Sequence, residues 1–157
     1  MLQKIQDFLS ALVPSDGEAV LMSIGAGFGA VVSFAFGNVD DAFRWLLAFI
    51  AADYVTGTVA AFRFGEWSSQ TGFLGLFKKF FILCVVAMCH GLDVATGVNL
   101  LRNAAIFAYG LNEVGSILEN VDRLGYGKLI PAVIRRGIRQ MRDKEEELFT
   151  AEENQGE

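Results

Sequence analysis

Two carboxylates stand inside long apolar runs: Asp53 in the middle of FRWLLAFIAADYVTGTVAAF and Glu113 within NAAIFAYGLNEVGSIL. A carboxylate at mid-bilayer depth costs about 2.5–3.5 kcal/mol on insertion scales, so such a group faces protein or water rather than lipid. Thr56, His90, Asp93, Asn112 and Ser116 fall at comparable depth in their segments. Side chains of this kind can hydrate a path, exchange a proton or bond from helix to helix. Static interhelical hydrogen bonds, worth ~0.6 kcal/mol each, are the plain alternative. A single small bundle has little interior for several carboxylates without strong bases nearby. That favours a water-exposed or intersubunit polar face in an assembly of copies.

Catalysis has no comparable signal. The single His, His90, lies three residues before Asp93 and can share a helix face with it. A Ser-His-Asp arrangement would also need a nucleophile and an oxyanion hole, and neither is marked. His90 reads as a packed or pore-facing side chain. One His and no CxxC pattern leave no metal site, and no cofactor motif is present. Gly25-Ala26-Gly27-Phe28-Gly29 lacks the strand–turn–helix context of a nucleotide loop. Cys84 and Cys89, five apart on one segment, point to different helix faces, against an internal disulfide. The chain is not expected to be an enzyme.

The elements that position these groups are apolar segments of bilayer length. Hydrophobic residues make up 53% of the chain, mean hydropathy is +0.40, and fourteen Phe and 17 Gly stand against two Pro. Charge is nearly absent from 19–37 and sparse from 43 to 118, then crowded after 122. The expected fold is all-α: an integral membrane protein with four transmembrane helices at about 19–37, 43–62, 79–98 and 101–118. Three small-residue rows recur at i+4 along these spans, and such rows let helix backbones approach closely. The first is Gly25, Gly29, Ser33 and Gly37; the second is Ala48, Ala52, Thr56 and Ala60, with Asp53 and Gly57 in the neighbouring row. The third is Ala104, Ala108, Asn112 and Ser116. FFILCVVAMCHGL is too short to cross unless it continues through Asp93 towards Val98, so a tilted or re-entrant third segment stays open.

The expected domains are an interfacial N-terminal segment at 1–17, a transmembrane domain at 18–120 and a tail at 121–157. Within the first, Leu2, Ile5, Leu9 and Leu12 suit a short amphipathic helix, ended by Pro14. No secretory signal is recognised, because Asp7, Asp16 and Glu18 interrupt the leader. In the tail, Arg135, Arg136, Arg139 and Arg142 surround a line of Ile134, Ile138 and Met141. A basic amphipathic segment beside a membrane binds anionic headgroups at about 1 kcal/mol per cation. With Lys78 and Lys79 it also fixes topology: four spans, N-in and C-in, put these cations on the cytoplasmic side. The basic run abuts a membrane segment without interleaved aromatics, so no nucleic-acid partner is expected. The net charge of −5 is only an average over this basic stretch and an acidic end.

The order of motifs has a family likeness. Asp53-x-x-Thr56-Gly57 is followed by Ser69-x-x-Gly72-x-x-Gly75 leading into Lys78-Lys79, then by Leu92-Asp93. Asn112-Glu113-x-x-Ser116-Ile117-x-Glu119-Asn120 comes next, before Gly125 and Ile130-Pro131. Together, over roughly 45–142, these resemble the toxin-secretion/phage-lysis holin family. The resemblance implies a phage or prophage protein of the bacterial inner membrane that assembles with itself and opens lesions. Through these a cell-wall-degrading endolysin, or a toxin, leaves the cytoplasm, and an antiholin is a possible further partner. Two other classes compete: a small ion channel or transporter subunit using Asp53 or Glu113, and a non-conducting scaffold recruiting a partner through 132–157.

Overall fold

A computed structural model describes residues 15–153, with side chains over 15–144. The helix expected at 2–13 and residues 154–157 lie outside the described residues. Two compact units meet at Asn38 and Val39 in sequence.

The first unit contains α1, Asp16–Phe36. Its start is a capping box: the Ser15 hydroxyl accepts the Glu18 amide at 3.4 Å, and the Glu18 carboxylate accepts the Ser15 amide at 2.8 Å. The helix stops at Gly37, whose φ of 74° is a conformation that side chains with a Cβ resist. The Gly37 amide reaches the Ser33 carbonyl at 2.9 Å. Gly37, expected in the first packing row, therefore has a backbone reason to be glycine.

The second unit holds α2 (Asp41–Arg63), α3 (Ser69–Thr96), α4 (Leu101–Arg123), a short 3-10 turn at Gly127–Leu129, and α5 (Ala132–Glu153). Asp40 caps α2 by accepting the Phe43 amide at 2.9 Å, and Ser68 caps α3 by accepting that of Thr71 at 3.0 Å. Because Ser68 starts it, α3 begins ten residues before the span expected at 79–98. Its 28 residues make about 42 Å of helix, and both Lys78 and Lys79 lie within it. Gly72 gives the Trp67 ring room against the first turns of α3, since a Cβ there would come within 2.6 Å of it. Trp67 in turn stacks on Phe62 at 4.6 Å between centroids.

Polar contacts at both ends set the helix directions. At one end Arg102 bonds to Asp40 at 2.8 Å, and the Asp93 carboxylate meets the first amides of α4. At the other, Arg123 pairs with Glu66 at 2.7 Å, and Arg63 donates to the Leu124 carbonyl at 2.8 Å. Thus α2 and α4 run parallel, α3 runs antiparallel to both, and α4 packs against each of them. The apolar core is Phe43, Leu46, Ala60, Ile82, Val86 and Ile106. After Gly125 and Pro131 the chain turns back, and α5 lies against α4 through Arg135–Asp122 and Arg142–Glu119.

The outer faces are apolar. Trp45, Phe73, Phe80 and Met88 are each more than 60% exposed, a surface suited to lipid rather than water. Among the described residues, three helices are long and apolar enough to cross a membrane: α1, α2 and α3. The all-α membrane architecture holds. The fourth expected crossing, at 101–118, falls in α4, which is as long as α2 but is not among those three. Arg102, Asn112, Glu113, Glu119, Asn120 and Asp122 lower its hydropathy, and several of them make the contacts that join the helices.

Candidate functional site

Asp53 and Glu113 are each the thirteenth residue of a 23-residue helix, α2 and α4 respectively. Each is thus about 18 Å from its helix start, near the middle of the bundle. Lys79, on α3, comes between them. Its ammonium donates to Asp53 Oδ2 at 2.6 Å and also to Glu113 Oε2. The Asn120 amide, two turns beyond Glu113, donates to Asp53 Oδ1 at 3.0 Å and to Thr56 Oγ1 at 3.3 Å. Thr56 closes the set by donating to the Asp53 backbone carbonyl at 3.1 Å. Gly57 lets Asn120 approach, since a Cβ there would lie 3.3 Å from its Nδ2.

Lys79 and Asp53 side chains are 13% exposed and Glu113 is 2% exposed. Charges so enclosed are held only when paired and hydrogen-bonded, and here all three helices contribute to the pairing. A cleft of about 440 Å³ reaches this cluster from the α2–α3 loop end. Glu66, Trp67, Thr71 and Arg123 lie along it, with Asp53 and Lys79 among the residues that line it.

Three of the polar residues singled out in the sequence, Asp53, Thr56 and Glu113, come together in this cluster. Asp93 does not join them. At the far end of α3 its carboxylate accepts the amides of Leu100, Leu101 and Arg102 at 3.3, 3.0 and 2.9 Å. It caps α4, whose own N-cap residue, Leu100, has no side chain able to do so. His90 is half-buried one turn before it, Ser116 is half-buried on α4, and Asn112 is exposed.

The small-residue rows are distributed differently from their sequence grouping. Gly57 packs against α4, while Ala48, Ala52 and Ala104 are exposed and Ala108 is half-buried. Gly110 and Gly115 are buried on α4 without belonging to an i+4 row. A Cβ on Gly115 would come within 2.7 Å of the Arg142 guanidinium, and Gly110 faces Phe49. Gly25, Gly29 and Ser33 are exposed along α1, with open space above both glycines.

The basic residues also divide. Lys78, Arg136 and Arg139 are exposed, while Lys79 is enclosed. Arg135 donates to Asp122 at 2.7 Å and to the Gly127 carbonyl, and Arg142 donates to Glu119 at 3.3 Å. Spacing alone misses Lys79 and Asn120 as members of the central cluster. The available signal for Lys79 is its place in FLGLFKKFFILC, a continuous apolar run on both sides of the lysine pair.

Comparison with known proteins places the chain in a family. The sequence profile of the bacteriophage holin family matches residues 30–143. An uncharacterised protein of Listeria innocua is 44% identical over 121 residues, covering 76% of this chain and 85% of its own. An uncharacterised protein of Clostridium perfringens is 33% identical over 132 residues, covering 82% of this chain and 96% of its own. A protein of Bacillus phage phi105 named "Probable holin" is 34% identical over 83 residues, or 52% of this chain and 60% of its own. No solved structure matches the chain.

Proposed function

The chain belongs to the bacteriophage holin family and is a holin-type membrane protein, and we propose that it permeabilises the bacterial cytoplasmic membrane for phage lysis. Copies accumulate in the membrane, associate, and open lesions through which a cell-wall-degrading endolysin reaches its substrate. The observation that carries this reading is the contrast between the outside and inside of the α2–α4 bundle. Its outer faces are apolar, while its mid-depth carboxylates are closed inward on Lys79. A protomer built so can sit harmlessly in lipid, because its mid-depth carboxylates face Lys79 inside the bundle rather than the hydrocarbon.

In this reading α4 crosses the membrane beside α2, carried by packing rather than by its own hydropathy. Four crossings with both termini in the cytoplasm put the α2–α3 loop, Arg123 and the α5 cations on the inner side, in keeping with the positive-inside rule. The exposed Gly25–Gly29–Ser33 face of α1 supplies a close-approach surface between copies. Lesions acquire a polar lining when protomers separate their helices and turn the Asp53 and Glu113 region towards water.

Induced expression in a bacterium tests this, with and without a co-expressed cytoplasmic endolysin that has no export signal. Abrupt growth arrest, followed by lysis only when the endolysin is present, is the expected result. Slow depolarisation without endolysin-dependent lysis would instead assign the chain to small ion channels. Healthy cultures at verified membrane levels would count against permeabilisation altogether.

A further inference from the structure

The central cluster is unequal in charge: two carboxylates, Asp53 and Glu113, share the single ammonium of Lys79. With both acids ionised, one negative charge is left over at the middle of the bundle. Among the described residues, no other cation bonds to either carboxylate. On α2 the adjacent Tyr54 has no cationic group, and on α3 Lys78 is exposed. On α4 Asn120 contributes a neutral amide, and Arg142 of α5 pairs with Glu119. At the mouth of the cleft, Arg123 is paired with Glu66 at 2.7 Å. An enclosed charge without a partner is strongly disfavoured, and a proton on either carboxylate removes it.

We propose that the Asp53–Lys79–Glu113 cluster is a proton-binding site that exchanges one proton with water in the cleft on the α2–α3 loop side. A hydronium in the cleft gives its proton to a carboxylate oxygen and leaves as water. The cluster then holds one carboxylic acid, one carboxylate and one ammonium, with no net charge. Hydroxide entering the same cleft removes the proton as water. The two carboxylates then repel each other across Lys79, which loosens the contact between α2 and α4. The cleft gives this exchange its side: it reaches Asp53 and Lys79 from Glu66, Trp67 and Arg123, whereas at the opposite end Asp93 bonds to the α4 amides and Arg102 to Asp40. The inference rests on the transmembrane placement of α2, α3 and α4, but not on the release of an endolysin.

The test uses the full-length chain in phospholipid vesicles, with its tail facing outward, followed by infrared spectroscopy in water and in deuterium oxide. Wild type at neutral pH is expected to show the C=O stretch of one protonated carboxyl. That band disappears in both Asp53→Asn and Glu113→Gln, because a single remaining carboxylate matches the lysine. It also disappears when the outer, loop-side compartment is made alkaline, and not when the trapped interior is. A wild-type spectrum without the band overturns the site, as does a band that survives in both variants. Loss that follows the interior pH overturns the sided access. The wild-type spectrum and its sidedness decide the matter even where a variant fails to insert. A chain that shows the sided band yet releases no endolysin would sink the lysis function and leave the proton site standing.

Discussion

The Asp93 carboxylate accepts the Arg102 amide at 2.9 Å, so the end of α3 supplies the N-terminal cap of α4. The same carboxylate takes the Leu101 amide at 3.0 Å and is 4% exposed. Replacement by alanine leaves these buried donors open, and loss of a cap of this type costs about 1–2 kcal/mol. Asp93→Ala should therefore lower resistance to unfolding in mixed detergent micelles by about that amount. Asp93→Asn, which keeps an accepting oxygen, should retain most of the resistance. Equal losses in the two variants would exclude the capping role.

Lys79 is the only cation bonded to both Asp53 and Glu113 among the described residues. Removing one partner of a buried ion pair costs about 3–5 kcal/mol, because it leaves uncompensated charge behind. Lys79→Met is expected to fall in this range in detergent unfolding, while Lys79→Arg keeps a charge and loses less. The triple change Lys79→Met, Asp53→Asn and Glu113→Gln should recover much of the loss by removing all three charges. If the triple variant is no more stable than Lys79→Met, the cost is one of shape rather than of charge.

How much of this was legible in the sequence depends on the range of the interaction. The helices and the membrane setting are visible in apolar runs of bilayer length, a local property of 19–37 and 43–62. Asp53 and Glu113 stand out because a carboxylate at depth is costly wherever its partner lies. Lys79 is different: it is next to Lys78, and adjacent residues on a helix are about 100° apart. Only the packing of α3 against α2 and α4 distinguishes the enclosed lysine from the exposed one. Ser68, which starts α3 early enough to place both lysines inside it, is a one-residue signal in a Gly- and Ser-rich loop. Asp93 caps α4 only because the 97–100 connection folds back, and no spacing rule reports that. Gly110 and Gly115 are five apart, so a search for i+4 rows passes over them.

Asp53→Leu and Glu113→Leu each leave one carboxylate to match Lys79. Both proteins should therefore insert, unlike a variant stripped of the lysine. Each also removes one of the two acids that would face water once the helices part. Altered lysis timing at matched membrane levels is the expected outcome, measured as culture turbidity after induction. Unchanged timing for both variants would remove these carboxylates from the opening step.

Asp40 gives the N-terminal end of α2 a defined acid sensitivity. The Arg102 guanidinium donates to its carboxylate at 2.8 Å and the Phe43 amide donates at 2.9 Å, which together hold the carboxyl below its ordinary value. A carboxylate depressed in the folded state stabilises it fully above the unfolded value, near 3.9, and that contribution is lost as pH falls through the folded one. Amide exchange at the first turns of α2 and α4 should accelerate with acid in wild type over this window. In Asp40→Asn the same step should be missing. Because the Asp40 side chain is 43% exposed, water screens the pair and the effect is confined to this end.

Gly29 offers the cleanest separation of association from folding. A Cβ built there meets nothing within 4 Å, and leucine is a better helix former than glycine by up to about 1 kcal/mol. Gly29→Leu should therefore leave α1 helical and inserted. It should nevertheless weaken assembly, because a bulky side chain in the Gly25–Gly29–Ser33 row holds neighbouring backbones apart. Crosslinking in membranes and sizing in detergent would report smaller complexes at unchanged helix content. Oligomers of native size from this variant would exclude the α1 row as the contact between copies and turn attention to the exposed Ala48 and Ala52 on α2.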